Sequence, residues 1–176
     1  MGLAPIWLVS GPISAGKTYL CQQLASQALA LGWQVAGLLS PPVILNGEKI
    51  AIQALDLRSG RLMSLATLAR PGQNSDIRTK RWIFNKGAIT WGNQMLKGSV
   101  PCDLLVVDEV GPLEPERGEG WTEAIPTVRS GLFKLALVAV RPELLDAARA
   151  IFPEARSMKA NPISSDFDLT ALSDPR

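Results

Sequence analysis

The chain has 176 residues, 47 % of them apolar and 19 % charged, which suits one compact unit burying roughly two-thirds of its unfolded surface and excludes intrinsic disorder. A net charge of +2 is too small to point to a nucleic-acid partner. The absence of histidine removes His-based zinc sites, Ser-His-Asp triads and His general bases.

Pro5-Ile6-Trp7-Leu8-Val9 is a continuous apolar run of the kind that forms a strand buried on both faces. A glycine-bearing turn, Gly11 to Gly16, follows. Leu20, Leu24, Ala28 and Leu31 then repeat at helical spacing, and Gly32 is placed to end that helix. Trp33 to Leu39 reads as a second strand, so the chain opens as a βαβ unit with a parallel sheet. The middle differs. Asn46-Gly47 between Val43–Leu45 and Lys49–Ile52 predicts a hairpin, and Ser59-Gly60 between Ala54–Leu57 and Leu62–Leu65 predicts another. Thr67 to Arg81 is polar, carries Pro71-Gly72, and reads as a loop. Trp82-Ile83-Phe84 is a short strand. Asn85 can cap a helix running to about Lys97, stopped by Gly98. The α/β pattern then returns. Leu104–Val107 is a buried strand ending in Asp108-Glu109. A loop rich in Gly, Pro and Glu (Gly111 to Gly120) leads to a helix near Trp121–Arg129. Leu135–Val140 is a strand ending at Arg141-Pro142, Glu143–Ile151 a helix, and Ala155–Lys159 a last strand.

Runs such as Leu3–Val9 and Leu135–Val140 are too short to span a bilayer, so no membrane partner is expected. Cys21 and Cys102 form no C-x-x-C pair and read as small buried residues in a reducing compartment. Met1–Val9 lacks the charged start and cleavage site of a signal peptide, and Ile6 stands where myristoylation needs Ser or Thr. The expected location is cytoplasmic.

Gly11-Pro12-Ile13-Ser14-Ala15-Gly16-Lys17-Thr18 fits G-x-x-x-x-G-K-T, between a strand and a helix as that pattern requires. The glycines permit backbone angles and close approaches that a Cβ would block. Successive N–H groups then turn inward around phosphate oxygens, and the helix adds its positive dipole end. Lys17 can reach the β- and γ-phosphates, and the Thr18 hydroxyl can ligate Mg²⁺. Leu104–Val107 with Asp108 is a Walker B pattern, in which Asp108 holds Mg²⁺ through water. Glu109, beside that metal ligand, can orient or deprotonate an attacking water. The expected architecture is therefore α/β: a P-loop NTPase with a mostly parallel central sheet, helices on both faces and an antiparallel β-hairpin insertion. Residues 1–176 read as one domain, with 43–84 as meander and loop insertion and 161–176 as a polar tail.

Three stretches resemble the THEP-type nucleoside-triphosphatase family, small P-loop NTPases with a RecA-like core. They are Val9 to Thr18, Gly37-Leu38-Leu39-Ser40-Pro41, and Val106-Val107-Asp108-Glu109-Val110-Gly111-Pro112-Leu113-Glu114; Trp82–Asn85 is similar too. The resemblance implies slow, Mg²⁺-dependent hydrolysis of ATP, GTP and other nucleoside triphosphates, with Lys17, Thr18, Asp108 and Glu109 in the family roles. The chain departs from the family after its second strand. Where the family carries Thr-x-Glu and then an arginine, this chain has Ser40-Pro41-Pro42 followed by aliphatic residues, so Pro42 holds the glutamate place.

Arg141, at the end of the strand after Walker B, falls at the sheet edge where it can sense the γ-phosphate. Glu114 reads equally as a second acid near Mg²⁺ or as a solvated turn residue, whereas Glu116 and Glu119 read as solvated. Arg58, Arg61, Arg70, Arg78, Lys80, Arg81 and Lys86 are concentrated in the middle insertion, where they read as a solvated face first, and otherwise as a lid over phosphates or a surface for an acidic partner. Asn85-Lys86-Gly87-Ala88 lacks the aspartate of the guanine-reading N-K-x-D motif. The five tryptophans read as core or interface residues. Three functions stay open: a nucleoside triphosphatase, a nucleotide or nucleoside kinase, and a nucleotide-binding module acting through a protein partner.

Overall fold

The apolar runs lie side by side. In the computed structural model, which describes residues 4–73, 77–110, 120–160 and 169–172, they form the middle of a nine-stranded sheet. The elements are β1 (Ile6–Ser10), α1 (Lys17–Ala30), β2 (Val35–Leu39), β3 (Pro42–Leu45), β4 (Glu48–Asp56), β5 (Leu62–Leu68), β6 (Trp82–Phe84), α2 (Lys86–Lys97), β7 (Leu104–Val110), α3 (Ala124–Arg129), β8 (Leu135–Val140), a 3-10 turn (Pro142–Leu144) running into α4 (Leu145–Ile151), β9 (Arg156–Lys159) and α5 (Leu169–Leu172). The strand order is β6-β5-β4-β2-β7-β8-β1-β9, with β3 on β4. Strands β2, β7, β8, β1 and β9 run parallel; β3 to β6 form an antiparallel meander joined through β4 to β2.

Alternation along the buried strands sorts side chains onto two faces. Leu104, Val106, Leu135, Leu137 and Ala139 pack with α1 residues Leu20, Cys21, Leu24 and Ala28. Leu105, Val107, Ala136, Val138 and Val140 face the other way, with Ala88, Ile89 and Leu96 of α2, Ala124 and Val128 of α3, and Ala148 of α4. Helices thus cover both faces. Leu169 and Leu172 in the tail are buried on the α1 face, and the Trp7 indole N–H donates to the Leu172 carbonyl at 3.1 Å. The tail is polar in composition but carries two apolar anchors.

Several boundaries moved. The segments read as two strands, 49–52 and 54–57, are one nine-residue strand, β4, because it pairs with β3, β2 and β5 along its length. Leu31 is an exposed C-cap and not part of the apolar stripe of α1, since the helix ends one residue earlier. The helix read over 143–151 starts as the 3-10 turn at Pro142, and the one near 121–129 starts at Ala124. β7 runs on to Val110, taking Asp108 and Glu109 into the strand.

The insertion rises from the sheet. β2 meets β4 at Leu38↔Asp56 and Leu39↔Leu55; β4 then passes the end of β2 and pairs with β3. β3 therefore prolongs β2 after Ser40-Pro41, and the hairpin stands about 20 Å above the C-terminal edge of the parallel strands. Asn46 and Gly47 close it with φ of 50° and 80°, the left-handed pair that a two-residue turn of this hand demands. At the opposite end, the Arg58 guanidinium donates to the carbonyls of Gly98 (2.8 Å), Ser99 (2.7 Å) and Pro101 (2.9 Å), satisfying the chain that leaves α2.

β2 and β7 approach unusually closely at one point. Gly37 has φ 107°, and a Cβ there would stand 1.9 Å from the Val106 carbonyl oxygen. Neither backbone can yield without breaking the parallel pairing Gly37↔Val106. Gly37→Ala is expected to destabilise the chain by about 3 kcal/mol or more, the upper end of overpacking costs. Urea unfolding followed by far-UV circular dichroism checks it, and a midpoint equal to the parent's would contradict the close approach.

Candidate functional site

β1 ends at Ser10, in register with Val140 of β8 on one side and Lys159 of β9 on the other. Gly11 leaves the strand between small neighbours. A Cβ on it would stand 2.9 Å from Ala15 Cβ and 3.4 Å from Ala160 Cβ. The loop then turns through two left-handed residues, Ser14 (φ 64°) and Gly16 (φ 88°), with the Ala15 N–H donating to the Pro12 carbonyl at 3.1 Å. Such alternation makes backbone N–H groups converge into an anion-binding concavity. Gly16 is the N-cap of α1 and gives no side-chain cap, so the first-turn N–H groups face that concavity without a competing acceptor. Pro12, Ile13 and Ser14 are exposed on the loop.

Lys17 is 8 % exposed, and its Nζ donates to the carbonyls of Gly11 (2.7 Å) and Pro12 (3.0 Å). The ammonium thus lies inside the ring of the loop, holding its two arms together. Thr18, half-buried, is the next residue of α1.

β8 lies between β1 and β7. This places the P-loop and the acidic strand two inter-strand spacings apart, about 10 Å. Asp108 is 1 % exposed and follows Leu104 and Val106 on the α1 face, the face of Lys17. Its Oδ2 accepts from the Ser40 N–H at 2.9 Å, and its carbonyl accepts from Ser40 Oγ at 3.3 Å. Cys21, one turn into α1 from Lys17, senses both groups. Burial pushes its thiol well above the ordinary value, the Asp108 charge raises it further, and Lys17 opposes them. Arg141 follows Val140, so it sits beside Gly11 at the edge between P-loop and acidic strand. Glu109 lies in β7, its side chain outside the described residues; Glu114, Glu116 and Glu119 lie outside them entirely.

Lys17, Thr18, Asp108 and Arg141 therefore gather at one edge. Three basic residues of the insertion, Arg58, Arg78 and Arg81, do not join them. Arg58 caps the α2 exit at the opposite end of β4. Arg78 and Arg81 flank β6, six strand spacings or roughly 29 Å from β1, where the Arg81 guanidinium and Lys49 ammonium lie 5.3 Å and 5.4 Å from the Trp82 ring centre. Ser40 is the site residue that motif reasoning did not assign. Its signal, a small polar residue ending a buried strand before Pro41, is too common to single out.

Thr18 and Asp108 offer hard oxygen donors, and among the described residues no three His, Cys, Asp or Glu side chains cluster into an all-protein metal cage.

A family described as NTPase matches residues 7–147. The chain belongs to this family. Among its relatives, the nucleoside-triphosphatase THEP1 of Ignicoccus hospitalis is 29 % identical over 106 residues, 60 % of this chain and 58 % of that one. THEP1 of Pyrococcus abyssi is 25 % identical over 150 residues, 82 % of this chain and 79 % of that one. With the first of these the match thus spans under two-thirds of the relative's length. The crystal structure of THEP1 from the hyperthermophile Aquifex aeolicus superposes with a TM-score of 0.66 at 14 % identity, over 95 % of this chain and 96 % of that one, a likeness of fold. The THEP-type resemblance and the P-loop NTPase architecture both stand. No helix among the described residues of this NTPase-family chain is long and apolar enough to cross a membrane.

The two thiols give a test of the packing beneath the site. Cys102, at the foot of β7, is pushed up to about 11 by burial, with Arg58 lowering and Asp103 raising it. At pH 8 a thiol of that kind is about one part in a thousand thiolate. Both cysteines should resist iodoacetamide in the folded protein at pH 8 and react at once in urea. Rapid alkylation of either in the native state, read by mass spectrometry, would contradict the packing.

Proposed function

We propose that this chain hydrolyses nucleoside triphosphates, ATP and GTP among them, to the diphosphate and phosphate in a Mg²⁺-dependent reaction that is slow for the isolated protein. One observation carries the reading: the loop that ends β1 turns through left-handed Ser14 and Gly16 into the start of α1 and holds the Lys17 ammonium on two of its carbonyls, and a buried carboxylate, Asp108, stands two strands away. Family membership and the names of the relatives support it.

The residues divide the work by position. Gly11 to Thr18 hold the phosphate chain through backbone N–H groups and the start of α1. Lys17 turns from two neutral carbonyls to the β- and γ-phosphate oxygens, an exchange favoured because the new acceptors carry charge. Thr18 and Asp108 would hold Mg²⁺, which neutralises charge on the phosphates as they separate. Glu109 takes a proton from the attacking water, which needs a carboxylate at the end of the acidic strand. Arg141, beside Gly11, is the cation placed to meet charge developing on the γ-phosphate. The reading also includes a cytoplasmic location.

The kinase alternative needs a basic lid over the phosphates, and Arg78 and Arg81 stand at the far edge of the sheet. A module acting through a partner draws support from the hairpin, where Ile44 and Leu45 are exposed. Phosphate release from ATP or GTP alone, without acceptor or partner, separates the three.

Lys17→Ala should weaken triphosphate binding or abolish turnover while the fold persists. ATP hydrolysis at the parent rate would defeat the P-loop assignment. Glu109→Gln should still bind Mg²⁺-nucleotide, with turnover reduced by about 10²-fold or more; equal losses of binding and turnover would make Glu109 a metal or structural residue. An arginine acting on the transition state is worth about 10³–10⁵ in rate, and without a partner arginine turnover should stay below about 1 s⁻¹. Arg141→Ala should lower kcat further at unchanged nucleotide affinity. A parent protein running at tens per second, or an Arg141→Ala variant matching it, refutes the slow-hydrolase reading or the role of Arg141 respectively.

A further inference from the structure

The parallel pairing of β2 with β7 runs from Val35↔Leu104 to Leu38↔Val107 and stops. Beyond it the chain continues through Ser40 and Pro41 into β3, still paired along β4 but no longer with β7. Ser40 is 5 % exposed at this fork, and its N–H has left the reach of the β7 backbone ladder. A buried backbone donor without an acceptor is strongly disfavoured. The Asp108 carboxylate fills the fork and accepts that N–H at 2.9 Å, while Ser40 Oγ closes the other side on the Asp108 carbonyl at 3.3 Å. The bond also gives Asp108, whose carboxylate is 1 % exposed, a donor in place of water.

We propose that Ser40 is the positioning residue for Asp108, its backbone N–H fixing the plane of the carboxylate that binds the metal. This rests on the nucleotide-hydrolysis reading above. A backbone donor suits the task because it has no rotamers, so the carboxylate is oriented by the sheet itself. Pro41 contributes from the next position. A residue before proline is held out of the helical region, which keeps Ser40 extended with its N–H turned toward β7. Outer groups that orient metal ligands in this way are worth about 10–100-fold in metal affinity. The geometry also ties the metal ligand to the strand that becomes the projecting hairpin, so a shift of β3 reaches Asp108 through one hydrogen bond.

The test uses the full chain, Mn²⁺ as the metal probe and ADP as the nucleotide. Ser40→Pro deletes the N–H; Ser40→Ala keeps it and removes only the hydroxyl. Electron paramagnetic resonance should show Mn²⁺ bound about 10–100-fold more weakly in the ADP complex of Ser40→Pro, a few-fold at most in Ser40→Ala. ADP affinity without metal should be like the parent's in both. A merely structural role would weaken metal-free ADP binding as well. A second measurement needs no substitution at Ser40: its amide resonance should lie far downfield and exchange slowly, and Asp108→Asn should move it upfield by removing the acceptor's charge. A folded Ser40→Pro that binds Mn²⁺ as the parent does overturns the proposal. So does an amide resonance indifferent to Asp108→Asn, which decides the matter even if Ser40→Pro fails to fold. If the parent itself bound no ADP, the nucleotide reading would fall and the metal role with it; normal parent binding with insensitive variants would overturn Ser40 alone.

Discussion

A parallel sheet covered on both faces has room for polar side chains only at its edges. That constraint organises this protein. Residues of β7 and β8 that face α1 or the opposite helices are aliphatic until the strands reach their C-terminal ends, and there Asp108 and Arg141 appear. Because all five central strands point the same way, the P-loop after β1 opens at the same edge. Asp108 lies near enough to α1 that its charge and that of Lys17 both act on Cys21.

Burial at that edge sets the electrostatics. Lys17 and Asp108 are both nearly free of water, and each is held by backbone groups: two carbonyls for the ammonium, the Ser40 N–H for the carboxylate. Groups restrained in this way are organised before any ligand arrives. Cys21 lies in the same field: burial raises its thiol, the Asp108 charge raises it further, and Lys17 opposes them.

The insertion separates two tasks. Its β3–β4 hairpin extends β2 directly and therefore rises beside the site, linked to Asp108 at the fork. Three of its cations sit elsewhere: Arg58 closes backbone carbonyls at the far end, and Arg81 with Lys49 flanks Trp82 across the sheet from the P-loop. Pro42 begins β3 and offers the site no charge.

Much was legible in the sequence because it depended on local chemistry. Gly11 to Thr18 dictates its own loop conformation through residues that tolerate left-handed angles. Asn46-Gly47 dictates a hairpin, and the Asn85 side chain does accept the Ala88 N–H as a helix cap. Continuous apolar runs announced the buried strands, and with them the edge where Asp108 would emerge. Tertiary structure decided what depends on partners far along the chain. The single long β4 emerged because three strands pair with it. Leu169 and Leu172 became anchors because α1 offered them a face. Gly37 became indispensable because Val106, 69 positions later, comes within a Cβ's reach. Ser40 entered the site because two strands separate there and leave a buried N–H facing a buried carboxylate, and no property of a lone serine before a proline encodes that meeting.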